Sequence, residues 1–276
     1  MDRELFSKER FCKEAVPKYR CPRCDSFLTM SNLVNKETAE AKADLANPEA
    51  DHDRVERTFR ADFTCEKEQC GEVVFCVGKG LDCAWSWYDS SDNGTDSGWA
   101  WAEELIPTFF QPHLMMFVVP ENTSESVRGC VHASFRVFFS SPGNALNELR
   151  NALESLMDHL QVARKIRDTR KPLSSETQPL RKLSLHERIE RLPKEHAGYK
   201  SLLLAQKWIG NAGTHGDPIK RDDVLDGYKL LEHVLDGIFS LHPMATNINE
   251  NKAPQSISRE REATLSLFRE SETYTK

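Results

Sequence analysis

Two cysteine pairs constrain this chain more than any other feature: Cys21 and Cys24 in Cys-Pro-Arg-Cys, then Cys65 and Cys70 in Cys-Glu-Lys-Glu-Gln-Cys. A tight turn lets both thiolates of a pair face one ion, and four thiolates so arranged have the spacing of a zinc ribbon, with zinc as a structural ion. Strand-like segments flank the second pair, Phe59 to Thr64 before it and Glu72 to Val77 after it, which is enough for a small metal-stapled β domain. The second pair has four intervening residues instead of two, and the long gap between pairs carries a helix-like acidic insert from Asn35 to Asn47. Structural zinc sites tolerate such loops. The remaining cysteines, Cys12, Cys76, Cys83 and Cys130, read as reduced, buried side chains.

The 276 residues are 39% hydrophobic, which supports a real core in one large or two modest domains. With 37 Lys and Arg against 43 Asp and Glu, the net charge is -6, so any nucleic-acid contact has to come from a local patch. No apolar run approaches the length of a membrane span, and Met1-Asp2-Arg3-Glu4-Leu5 lacks the basic and apolar regions of a secretory signal. The sequence therefore places the chain in the cytoplasm and off the membrane, where paired cysteines hold metal more often than they form disulfides.

Beyond the second cysteine pair, Ala84 to Tyr88 and Trp99 to Trp101 flank a polar loop from Asp89 to Gly98, the pattern of a hairpin. Period-two spacing puts Trp85 and Trp87 on one face of their strand, and Trp99 and Trp101 on one face of theirs. Exposed, these indoles could stack bases or grip a partner; buried, they glue the ribbon to the helices that follow. From about Ser124 the pattern turns helical. Ser141 and Pro142 start a second helix whose Leu146, Leu149, Leu153, Leu156 and Leu160 form a heptad seam. A third helix opens on the capping box Ser184 to Glu187, and a fifth runs from about Arg221 to Leu241. Five helices with mostly short connections imply a bundle, and the polar stretch after Pro243 reads as a tail.

The fourth helix carries the most unusual motif, a polar stripe in Lys207-Trp208-Ile209-Gly210-Asn211-Ala212-Gly213-Thr214-His215. Helical spacing sets Asn211 and His215 one turn apart, and the apolar Leu203, Leu204, Trp208 and Ile209 place them in a seam between helices. On the second helix Arg150 and Glu154 have the spacing of an i,i+4 ion pair. Between the second and third helices lies a basic cluster, Arg164, Lys165, Arg167, Arg170, Lys171, Arg181 and Lys182. It could neutralise phosphates, although Pro172 and Pro179 with several Ser and Thr give it the look of a solvated loop.

Arg150-Asn151-Ala152-Leu153-Glu154, the segment Leu185 to Leu192, and Gly210-Asn211 followed by His215 together resemble the domain-of-unknown-function 4145 family. That family looks like a branch of the HEPN (higher eukaryotes and prokaryotes nucleotide-binding) helical superfamily, is often preceded by a zinc ribbon, and is associated with restriction and phage-defence genes. Its catalytic relatives are metal-independent ribonucleases that dimerise and use an Arg followed a few residues later by a His. In such chemistry the His takes the ribose 2′-hydroxyl proton while the Arg holds the phosphate. His215 matches that His, but Gly210 stands where the Arg would be. Lys207, one turn before Asn211, is one possible substitute, although an ammonium lacks the planar fork of a guanidinium; Arg150 is the other, if the second helix packs beside the fourth.

The sequence thus predicts an α+β protein: a zinc-ribbon domain with an N-terminal arm over 1–80, a Trp-rich hairpin and linker over 81–123, a HEPN-like helical bundle over 124–242, and a polar tail over 243–276. The leading expectation is a noncatalytic accessory module, a homodimer that binds nucleic acid or a restriction or defence-system protein. The alternatives are a ribonuclease using His215 with Lys207 or Arg150, and a structural subunit docking through the Trp hairpin.

Overall fold

The computed structural model describes residues 1–48, 56–91, 94–168, 180–212 and 219–240. A short helix α1 (Arg3–Ser7) leads into an antiparallel sheet of β1 (Phe11–Cys12), β2 (Leu28–Glu37), β3 (Glu56–Cys65), β4 (Val73–Ser91) and β5 (Gly94–Gln111), with helix α2 (Ala39–Ala46) between β2 and β3. Across the sheet the strand order is β1-β5-β4-β3-β2. Alternation turns Phe59, Ala61 and Phe63 of β3 and Val74 and Cys76 of β4 inward, and the extra residue Thr108 between the Pro107 and Phe109 pairings lets Leu105 and Phe110 of β5 share that side; all are buried. Gly78 sits where the β4–β5 register shifts. A Cβ there would lie 2.1 Å from the carbonyl oxygen of Ile106, so the close approach of the two backbones admits only glycine.

Two boundaries read from the sequence move. The expected domain edge at residue 80 falls inside β4, which continues to Ser91 and pairs with β5 from Phe75 onward. The sheet and the Trp-bearing hairpin are therefore one hydrogen-bonded unit. The acidic insert expected as helical from Asn35 to Asn47 is strand as far as Glu37, because β2 pairs with β3 out to Glu37↔Arg57. Only Ala39–Ala46 is helix, capped by the Thr38 side chain.

Five helices follow: α3 (Glu125–Val137), α4 (Pro142–His159), α5 (Leu185–Ile189), α6 (Lys200–Ala212) and α7 (Arg221–Phe239), with a 3-10 turn at Lys194–Tyr199. The heptad seam of α4 is real, with Leu146, Leu149, Leu153 and Leu156 all buried against Val224, Leu225, Tyr228 and Leu231 from α7 in one apolar cluster. Tyr228 is buried with its hydroxyl 2.8 Å from Ser134 Oγ, which itself donates to the Ala145 carbonyl at 2.8 Å, so the polar tip of the ring is satisfied. The capping box of α5 forms as expected: the Glu187 amide donates to Ser184 Oγ, and the Ser184 amide to Glu187 Oε2.

The segment read as a basic loop is instead a ribbon of two short strands, β6 (Lys165–Arg167) and β7 (Leu180–Lys182). Sheet and bundle share their core: Phe110 of β5 lies 4.7 Å from Phe139, just past α3, and 5.2 Å from Tyr19 between ring centroids. Arg221, at the start of α7, pins this junction by donating to the carbonyls of Lys8, Pro107 and Phe139. Its burial holds the guanidinium's pKa down.

Candidate functional site

The four predicted cysteines converge. Each pair sits in a reversed loop whose second cysteine is followed by a left-handed residue, Asp25 (φ 60) and Gly71 (φ 61). The first loop closes through the Asp25 amide to the Cys21 carbonyl (3.0 Å) and the Cys21 amide to Ser26 (2.7 Å). In the second, the Cys70 amide donates to Lys67 (2.8 Å) and the Cys65 amide to Glu72 (2.9 Å). The wider Cys65–Cys70 spacing therefore still ends in a tight turn. All four Sγ atoms lie within 4.8 Å of one another, with Cys24 to Cys65 at 3.4 Å and Cys21 to Cys70 at 3.8 Å.

A tetrahedral ion bound to sulfur at about 2.3 Å requires sulfurs about 3.8 Å apart, so the donor set fits a metal ion. The electrostatics fit as well. Hydrogen bonds from Ser26 bring the Cys24 thiol down to about 6, whereas burial pushes Cys65 up to about 12 and raises Cys21. Packing four such groups together without a cation is unfavourable for the thiolates, and a bound cation reverses that. Of the other cysteines, Cys76 is buried and Cys12 and Cys130 are half-buried. The Cys83 side chain lies outside the described residues.

On the helical side the expected Arg150–Glu154 pair is not the contact Glu154 makes. Glu154 instead accepts from Arg188 of α5 at 2.6 Å, and Arg188 also donates to Asp158 at 2.7 Å and to the Val162 carbonyl at 2.8 Å. Arg188 is 1% exposed and was missed by the sequence reading. The signal was present: it falls on the same face as the buried Leu185 and Ile189, opposite two acids spaced i,i+4 on α4. Geometry favours the cross-helix partner because a guanidinium can grip both carboxylates at once.

Arg150 nevertheless comes near the polar stripe. Burial, and then the charge of Arg150, lower the pKa of Lys207 on α6, so the two cations lie within electrostatic range of one another. Trp208, expected in the apolar seam, is 39% exposed, with the Lys207 ammonium 4.2 Å from its ring centroid. Gln206 takes the inward position instead, buried between α6 and Gly227 of α7. Gly210 and Asn211 lie in the last turn of α6. Their side-chain positions and all of His215 are outside the described residues, so the Asn211–His215 seam has no geometry to report.

Of the basic cluster, Arg164 is bound to Asp158 and Arg181 to Glu187. Lys165 and Lys182 are directly opposed across the ribbon, and Arg167, two residues along β6, shares their exposed side. These three have no carboxylate partner among the described residues. Arg170 and Lys171 fall outside the described residues. The backbone of the Trp hairpin pairs Trp85 with Ala100 and Trp87 with Gly98, as an antiparallel hairpin requires. The side chains of Trp85, Trp87, Trp99 and Trp101 are outside the described residues. Among the described residues no helix is long and apolar enough to cross a membrane.

Comparison with known families divides the chain along the same line. Residues 132–251 match the family model described as domain of unknown function (DUF4145), the family read from the α4, α5 and α6 motifs. Residues 9–110, which hold the sheet and the cysteine centre, match a second, domain of unknown function (DUF8608). No curated protein and no solved structure matches the chain.

Proposed function

We propose that this chain is a noncatalytic nucleic-acid-binding accessory module, a zinc-stapled sheet fused to a HEPN-like bundle. In this reading it works as a cytoplasmic homodimer beside a restriction or phage-defence protein. The observation that carries the binding role is the β6–β7 ribbon, where Lys165 faces Lys182 with Arg167 on the same side. Like charges directly opposed across two strands are destabilising, and a phosphate lying across them removes the penalty. Arg164 and Arg181 are already held by acids, so they support the ribbon rather than the ligand.

The test is a titration of labelled nucleic acid at several salt concentrations. Replacing Lys165, Arg167 and Lys182 together by Glu is expected to weaken binding by on the order of tenfold or more, and to reduce the salt slope by about 0.9 for each phosphate that is no longer neutralised. Unchanged affinity and slope would remove the ribbon from the reading. The ion is proposed to be zinc from its all-thiolate donor set, and metal analysis of the purified protein checks it.

A second reading has one observation in its favour: the charge of Arg150 on α4 reaches Lys207, which lies on the same helix as Asn211. They are the pair that would hold phosphate if His215 acted as a base in RNA cleavage. Gly210 in place of an arginine costs such chemistry on the order of a hundredfold to a thousandfold. Cleavage of RNA that disappears in His215→Ala would replace the noncatalytic reading.

A further inference from the structure

We propose that the outward face of the β2–β5 sheet is a stacking platform for single-stranded nucleic acid. The proposal rests on the reading above only in taking a nucleic acid as the ligand. The inward face of this sheet is spent on the shared core, but the outward face has nothing packed on it among the described residues, and among its polar side chains it exposes Val34, Val73, Phe75, Val77 and Phe109. Register places Val34, Arg60, Val77 and Phe109 in one row across four strands, with Phe75 two residues before Val77 on the same side. Phe75 is 40% and Phe109 41% exposed. An antiparallel sheet that faces only water carries polar residues on that side, so open rings there need an occupant.

The cations of this face indicate which. The Arg60 guanidinium lies 4.8 Å from the Phe75 centroid, and Asp62 accepts from its Nε and Nη2 at 2.9 and 3.3 Å, which fixes the plane of the group. At the cysteine end of the sheet, Phe27 precedes the inward Leu28 and so alternates outward. It is 37% exposed, with Arg20 4.1 Å and Lys18 5.8 Å from its centroid. On the same face Arg60 is paired with Asp62 and Lys79 with Glu56, whereas Lys18 and Arg20 beside Phe27 and Lys36 on β2 face no carboxylate among the described residues and are the cations left for a ligand.

Flat rings interleaved with guanidinium and ammonium groups suit a polyanion with open π faces. A single strand offers its bases for stacking, whereas a duplex hides them. The platform therefore distinguishes the two, while the β6–β7 ribbon, reading phosphate alone, does not.

The experiment measures fluorescence anisotropy of a labelled oligouridine of about 20 nucleotides and of a duplex of the same length. Stacking is sequence-tolerant, so the plain oligomer serves as probe. Phe75→Ala with Phe109→Ala is expected to weaken single-strand binding by on the order of tenfold or more, leaving duplex binding and the salt slope unchanged. Phe75→Trp with Phe109→Trp, which keeps flat rings on an exposed face, is expected to retain single-strand affinity. The proposal is overturned if the Ala pair binds oligouridine as the unmodified protein does, or if the Trp pair loses binding as the Ala pair does. Loss of self-association in the Ala pair with oligouridine binding intact assigns the face to a protein partner instead, and also overturns it. If neither probe binds the unmodified protein, the nucleic-acid reading itself falls. If both probes bind and only the ribbon variant is impaired, the platform alone falls.

Discussion

In the sheet, two loops at the edge of the core converge on four sulfurs; in the bundle, three segments of helix and loop converge on one arginine. Cys21, Cys24, Cys65 and Cys70 bring together the ends of β2, β3 and β4, whereas Arg188 joins α5 to Glu154 and Asp158 on α4 and to the carbonyl of Val162 beyond it. Both devices gather polar groups that would be costly if left alone. They differ in what completes them: the thiolates need an ion from solution, while the guanidinium carries its own charge in a covalently attached side chain. A chelator therefore attacks one half of the molecule and acid the other, and the packing of Phe110 on Phe139 between them decides how far the damage spreads.

The largest effect is expected from removing the ion or substituting Cys65→Ser. Structural zinc contributes an apparent 10 kcal/mol or more, roughly, to small thiolate-held domains. The sheet should become cleavable between the two cysteine pairs in limited proteolysis while the far-ultraviolet helix signal persists. Simultaneous loss of both signals would break the comparison and make the molecule one cooperative unit. Next in size, Arg188→Met removes the buried guanidinium that holds Glu154 and Asp158, and because both acids are partly exposed and Asp158 keeps Arg164, it is expected to cost about 2–3 kcal/mol in denaturant unfolding. Adding Glu154→Gln and Asp158→Asn should return much of that, because the loss comes from uncompensated charge rather than from volume.

A smaller effect should appear on acidification, at the junction between the halves. His113, just past β5, is 2.9 Å from His132 of α3 between ring nitrogens, and burial, then His132 and Arg136, hold His113 down to about 4. The unfolded chain takes up its proton at the ordinary histidine value of 6.5 while the folded one resists until about 4. Stability is therefore full above the upper value, falls between the two, and levels below the lower. Melting temperature against pH reads this, and His113→Gln should flatten it. Asp158, held down to about 2 by Arg164 and then Arg188, adds a second decline between the usual carboxylate range and that value. The smallest expected change is favourable: Gly129→Ala on α3, where a Cβ meets nothing within 4 Å, should stabilise the bundle by about 0.5–1 kcal/mol in the same denaturant assay.

Much of this was legible in the residues. The cysteine pairs announced a shared centre because thiolate spacing is a local property of two turns, and the Leu146 to Leu156 seam announced a packed helix because its period is local too. The α5 capping box was legible for the same reason. What sequence misassigned were choices among partners. Glu154 has Arg150 one turn away and Arg188 thirty-four residues on, and only the packing of α5 across α4 decides between them. Trp208, placed in the seam by its residue type, turned outward while Gln206 turned in, because helical phase is set by the neighbouring helices and Gly227 of α7 opens the space that Gln206 fills. The basic loop became a ribbon through pairing of residues thirteen to seventeen apart, which composition does not reveal.

By itself the sequence determined an α+β chain with a four-cysteine centre ahead of a helical bundle, since turn chemistry and hydrophobic period act over a few neighbouring residues. Tertiary structure alone decided that the sheet runs on past residue 80, that Arg188 rather than Arg150 takes the acids of α4, and that open Phe rings and cations share one face of the sheet. Those outcomes depend on which distant backbone lies alongside. The energies that choose among distant partners, apolar burial and the pairing of buried charge, come into force only when the chain has closed on itself.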